Sequence, residues 1–159
     1  MDPDLNRYLN KHGVRFELFT HKPVYTVAES REDPDIAHIP GLRCKTLFLR
    51  DEQGVFYLVG MPGEKRLDYK QLQDELGVKK LTMGSPEELK RETDLVPGSV
   101  SIFGATFHPD VYLILDNEVW RAERVCFHPN INTETLVIEH DSLGRYYESL
   151  VNKKRVITL

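Results

Sequence analysis

The sequence predicts a mixed α/β fold, α+β-like, in which a mixed sheet is surrounded by helices. Three observations carry the prediction. Short apolar runs and amphipathic segments interleave along the chain. They do so without the strict strand–helix–strand beat of a doubly wound parallel sheet, and at least two connections are short enough for hairpins. The length of 159 residues suits one continuous core, so 1–159 is expected to be a single domain.

Each element has its own signal. "DPDLNRYLNKHG" (2–13) offers Asp2 as a cap, Pro3 at the first helical position, an apolar stripe of Leu5, Tyr8 and Leu9, and Gly13 as a stop. "VRFELFTH" alternates as a strand. In "YTVAESRED" Thr26 and Glu29 form an S/T-x-x-E capping box that starts a helix, and Pro34 limits it. "KTLFLRDEQGVFYLVG" (45–60) reads as a hairpin about the polar "DEQG" turn. "LDYKQLQDELGV" is a helix with Leu67, Leu72 and Leu76 on one side and Gly77 as its stop. "SPEELKRE" carries a second capping box, Ser85 with Glu88, and Pro86 between them. "VYLILDNEVWRAERVCF" suggests a strand pair about Asp116-Asn117. "TETLVIEH" is a strand, "DSLGRYYESLV" a helix capped by Asp141, and "NKKRVITL" a frayed or late-docking tail.

Composition excludes several functions. A net charge of −4 argues against a basic face that coats nucleic acid regardless of sequence, but not against a local basic site. Cys44 and Cys126 stand far apart and form no C-x-x-C, so neither a disulfide framework nor a zinc ribbon is indicated. No basic-then-apolar leader and no membrane-length apolar run is present, which predicts a soluble, cytoplasmic chain. There is no Walker loop, Rossmann glycine fingerprint, H-E-x-x-H or G-x-S-x-G. His108, Cys126, His128 and His140 are not spaced as a zinc site, so no metal and no cofactor is expected.

Three places remain for chemistry. Lys45 lies on the strand row shared with Leu47 and Leu49. Either its stem covers the leucines while the amine reaches water, or the row turns there into a pocket for an anion. "RVCFHPNINTETLVI" (124–138) sets His128 between Phe127 and Pro129, followed by Asn130, Asn132, Thr133 and Thr135. That stretch is either a structural corner or a polar binding loop. "PGSVSIFG" (97–104) has small residues that let backbone N–H groups approach a carbonyl or carboxylate, or it is an ordinary crossover turn.

Taken in order, "HKPVYTVAES", "IPGLRCKTLFLRD", "LDYKQLQDELG", "MGSPEELK…LVPGSVSIFG", "LDNEVW" and "VCFHPNINTETLVI" resemble the free-standing YbaK/ProX-type aminoacyl-tRNA editing proteins. These are similar to the editing domain of bacterial prolyl-tRNA synthetase, and the resemblance runs from about His21 to the last helix. It implies a curved, partly barrel-like mixed sheet. It also implies hydrolysis, in trans, of tRNA bearing the wrong amino acid, alanine on tRNA(Pro) or another small residue, and the absence of zinc spacing makes a metal-independent reaction the expectation. The partners implied are the aminoacyl-tRNA 3′ end and prolyl-tRNA synthetase. By the same resemblance Lys45 and His128 are the catalytic candidates, Lys45 holding the tRNA end and His128 lying beside the substrate. Thr26, Thr46, Gly98, Ser99, Val100, Ser101, Ile102, Phe103, Gly104 and Asn132 are the substrate-binding candidates. Two positions depart from the family pattern: Thr46 replaces the asparagine of K-N-L-F-L, and Ile102 replaces the proline before the loop phenylalanine. A catalytically silent module that binds tRNA or a synthetase is the alternative.

Overall fold

The computed structural model describes the backbone of residues 1–159 and every side chain except that of Val27. The chain opens with α1 (Pro3–Lys11), where the Asp2 carboxylate accepts from Leu5 N at 3.0 Å and Leu5 and Leu9 are wholly buried. After β1 (Phe16–Thr20), Thr26 caps α2 (Val27–Glu32) by accepting from Glu29 N. The reciprocal half of that box is displaced by one residue, because the Glu29 carboxylate accepts from Tyr25 N at 2.9 Å. Pro34 ends α2 and also begins a short helix, α3 (Pro34–Ala37), capped by Asp33. Then β2 (Leu42–Asp51) and β3 (Phe56–Pro62) form the expected antiparallel hairpin, from Cys44↔Pro62 to Arg50↔Phe56. The Asp51 carboxylate fixes its turn, accepting from Gln53 N, Val55 N and the Tyr57 hydroxyl.

Asp68 caps α4 (Tyr69–Leu76), and Gly77 ends it at φ +69°. A three-residue strand, β4 (Leu81–Met83), precedes α5 (Pro86–Thr93), whose Ser85–Glu88 box is complete. A 3-10 helix (Ile102–Ala105) leads to β5 (Tyr112–Asp116).

Two expectations fail from here. The segment around Asp116-Asn117 is no hairpin turn: the Asp116 carboxylate caps α6 (Asn117–Arg121), so the chain crosses over to β6 (Arg124–Phe127). The second hairpin is instead β6 with β7 (Glu134–Glu139), paired antiparallel from Arg124↔Glu139 to Phe127↔Leu136. Asp141 does not cap α7 (His140–Ser149); Glu139 takes that position, without a side-chain hydrogen bond. Of the two readings of the tail, the docked one holds. The tail forms β8 (Lys154–Ile157), parallel to β5, behind Asn152, whose amide reaches the carbonyls of Ala105 (3.3 Å), His108 (2.8 Å) and Val111 (2.8 Å).

The strands make one mixed sheet in the order β1-β7-β6-β2-β3-β5-β8, with β4 on β2. Among the described residues β1 and β8 each have one neighbour, so the sheet is open rather than closed into a barrel. On one face the main core joins α1, α5 and α7 to the sheet through Leu5, Leu9, Leu89, Leu143, Tyr146, Phe48 and Leu58. On the other, Leu49, Tyr57, Val59, Met61 and Ile114 meet Leu67 and Leu72. A small third cluster, Val24, Ile36 and Ile39 against Cys126 and Val137, seats the α2–α3 segment. Among the described residues no helix is long and apolar enough to cross a membrane.

Candidate active site

The site arises from incomplete pairing along β2. One edge of this ten-residue strand is covered by β3. On the other edge β6 pairs only with Leu42 and Arg43, and β4 only with Leu49–Asp51. Residues 44–47 therefore lie along a gap, and a cavity of about 430 Å³ opens there. Both rows of β2 reach it: Arg43, Lys45 and Leu47 from one, Cys44 and Thr46 from the other. The α2–α3 segment closes over it with Val24, Tyr25, Thr26, Ile36 and Ile39, while Gly98, Val100, Phe127, His128 and Thr135 complete the wall.

Lys45 thus sits where its row leaves the core: Leu49 is buried, Leu47 half-buried, and Lys45 lines the cavity. Its amine makes no ion pair or hydrogen bond among the described residues. Burial alone pulls its amine below the ordinary lysine value. Arg43 is the second cation in the wall and donates to Ile36 O at 2.6 Å. No lining residue is an aspartate or glutamate. A cavity with two cations and no carboxylate, in a chain of net charge −4, favours an anionic occupant.

His128 presents one defined face. Its Nδ1 lies 2.9 Å from Glu134 O and must carry the proton to donate there, which leaves the Nε2 lone pair free. Burial lowers its pKa; the bond to Glu134 O opposes this and His21, with ring centroids 6.3 Å apart, adds to it. The ring is therefore neutral near pH 7 and suited to accept a proton from water. His21 is held by Lys22 O (2.7 Å) and accepts from the Thr135 hydroxyl at 2.8 Å.

The thiols are not nucleophiles in this state. Cys126 donates to Pro40 O and burial pushes it up to about 11; Cys44 donates to Leu42 O and burial raises it as well. The histidines considered as metal ligands disperse, His108 to Asp94 and His140 to Trp120 O. Among the described residues no group of three His, Cys, Asp or Glu gathers.

Of the sequence candidates, the cavity brings together Lys45, His128, Thr26, Thr46, Gly98 and Val100. Gly98 adopts φ +90° with the Tyr25 ring over it, and a Cβ there would lie 2.8 Å from that ring. Ser99 N donates to Val96 O, whereas Gly98 N and Val100 N have no acceptor among the described residues. The Thr46 hydroxyl is buried without a partner. The other candidates stand behind the wall. Ser101 donates to Asn130 Oδ1 and caps the 3-10 helix; Ser99 donates to Val96 O; Asn132 O accepts from Val24 N. Ile102 and Phe103 are core residues, and Gly104 fits against Leu95 and Leu58. Ile102 fills the space above Gly60, where a Cβ would come within 2.8 Å of its methyl. The signals that point to Arg43, Tyr25 and Thr135 were present: Arg43 shares the row of Lys45, and the other two flank the "TVAES" and "NINT" segments.

A family profile for the aminoacyl-tRNA editing domain matches residues 21–146. The prolyl-tRNA editing protein ProX of Acetoanaerobium sticklandii is 32% identical over 154 residues, covering 95% of this chain and 93% of the relative. The mouse prolyl-tRNA synthetase associated domain-containing protein 1 is 28% identical over 141 residues, covering 84% and 81%. Among solved structures, the hypothetical protein APE2540 aligns with a TM-score of 0.76 at 21% identity, covering 94% of this chain and 97% of that one. A candidate trans-editing enzyme for prolyl-tRNA synthetase aligns at 0.70 and 20% identity, covering 100% and 98%. At these identities the structures speak for the fold. The profile match across the cavity-forming segments and the ProX similarity over nearly the whole length show that this chain belongs to the aminoacyl-tRNA editing domain family.

Proposed function

We propose that the chain is a trans-acting deacylase that hydrolyses the ester of a small amino acid mischarged onto tRNA, with alanine on tRNA(Pro) as the first substrate to test. The observation that carries this reading is one cavity lined by a lysine whose amine has no partner among the described residues, a neutral histidine and two loop residues, Gly98 and Val100, whose N–H groups have no acceptor among the described residues, in a chain of the editing family. An aminoacyl ester is already activated, so its hydrolysis needs a placed water and a stabilised oxyanion more than a protein nucleophile.

In this mechanism Lys45 holds a phosphate of the terminal nucleotide. Gly98 N and Val100 N donate to the ester carbonyl as negative charge develops on it. The Nε2 of His128 takes a proton from the attacking water or aligns it, and the neighbouring ribose hydroxyl helps position that water. Thr26 and Thr46 shape the pocket for the amino acid. Ser99, Ser101, Ile102, Phe103, Gly104 and Asn132 support the loop from behind. Selection against proline is steric, and a difference of one methylene is worth only about 1–3 kcal/mol. Prolyl-tRNA synthetase is the natural source of the mischarged tRNA, in the cytoplasm.

The test is a deacylation panel: purified chain with tRNA(Pro) carrying alanine, serine, 2-aminobutyrate or proline, with and without EDTA. Hydrolysis of a small-residue ester, sparing prolyl-tRNA and surviving EDTA, is expected. Binding of tRNA without hydrolysis of any ester would make the chain a silent binding module. Loss in EDTA restored by zinc would replace the metal-independent mechanism.

A further inference from the structure

We propose that Arg43 is a second anion contact of the site, so that the ligand it is built for is a strand end carrying at least two phosphates rather than a free ester or a mononucleotide. This rests on the reading of the cavity as an aminoacyl-tRNA site. Arg43 and Lys45 are two residues apart on one strand, so both face the cavity about 6.5 Å apart along β2. That separation is comparable to the distance between consecutive phosphates of an extended single strand. Six of the ten other arginines, Arg7, Arg31, Arg50, Arg91, Arg124 and Arg155, each meet a carboxylate. Arg43 is half-buried and meets none among the described residues.

Its one hydrogen bond, to Ile36 O at 2.6 Å, leaves most of the five guanidinium donors uncommitted and fixes the direction of the fork. A planar fork anchored at one corner and open to a carboxylate-free cavity suits a phosphate better than a flexible point charge does. Lys45 alone would select for one anionic group. The pair selects for two in series, which a small aminoacyl ester lacks and an RNA 3′ end has.

The experiment measures the affinity of the full chain for a hairpin RNA with a single-stranded 3′ end bearing amide-linked alanine, as a function of KCl. Each phosphate neutralised on a single strand contributes a slope of about −0.7 in log K against log salt. Arg43→Gln, which keeps a donor for Ile36 O, is expected to flatten the slope by about 0.7 and weaken binding, while Arg43→Lys keeps the wild-type slope. Alanyl-adenosine monophosphate, with one phosphate, is expected to bind wild type and Arg43→Gln alike. An unchanged slope in Arg43→Gln, or a slope in Arg43→Lys that falls with it, overturns the proposal and leaves Arg43 as a tie to α3. A wild-type chain that binds no RNA end at all would instead overturn the function from which the proposal starts.

Discussion

Lys45→Met keeps an unbranched stem along Leu47 and removes only the charge. A charge-assisted hydrogen bond contributes about 1.5–3 kcal/mol, and two unit charges 4 Å apart near a protein surface interact by about 4 kcal/mol. Part of this is spent in desolvating the phosphate, so a net loss of about 3 kcal/mol is expected. At about 1.36 kcal/mol per factor of ten, kcat/KM for the preferred mischarged tRNA should fall by about a hundredfold or more. The same structure predicts no loss of stability. Burial without a counter-charge disfavours the charged amine, so the melting temperature of the protein without RNA should hold or rise. Single-turnover deacylation and thermal melting, run on the same preparation, read both effects. A rate within about threefold of wild type would refute the phosphate role, and an equal loss of rate and melting temperature would show a packing role instead.

His128 predicts the acid side of the pH profile. With its pKa held below the ordinary ~6.5, hydrolysis should stay level through neutral pH and fall only beneath the lowered value. The limb should vanish in His128→Gln; a midpoint above 6.5, or a limb that persists in the variant, contradicts the assignment. The same shift means that the unfolded chain binds that proton first, so stability should decline as pH falls through the window between the two values. Asn152→Ala leaves the carbonyls of Ala105, His108 and Val111 without their shared donor. A cost of about 2 kcal/mol is expected, seen as a melting temperature lower by about 4–8 °C.

The elements most legible in the sequence are those whose signals are local. The Ser85 and Thr26 caps, the Gly77 stop and the "DEQG" hairpin are each set by a few adjacent residues, and each forms. Asp116 misled because an aspartate before an asparagine suits a turn and a helix cap equally; Lys65, 2.8 Å from its carboxylate and 51 positions away, helps hold the cap. Whether the tail frays or docks is not legible locally, because its strand depends on a parallel partner, β5, and on the distant carbonyls gathered by Asn152. At the site, the row of Lys45 was readable from strand periodicity. The gap that turns that row into a cavity was not, since it depends on where β4 and β6 stop along β2. Ile102, Phe103 and Gly104 were adjacent in sequence to Gly98 and Val100, but the tight 3-10 turn carries them into the core.

Gly60 and Ile102 divide one small space between a central strand and the loop beneath the cavity. A Cβ on the strand would also come within 3.0 Å of Leu115, so that position can grow only if the loop residue slims and the leucine yields, and across the family the three should covary. Because the loop residue stands four places from Gly98, such an exchange offers evolution a route to reset the amino-acid preference from behind the wall, without altering any side chain that touches the ligand.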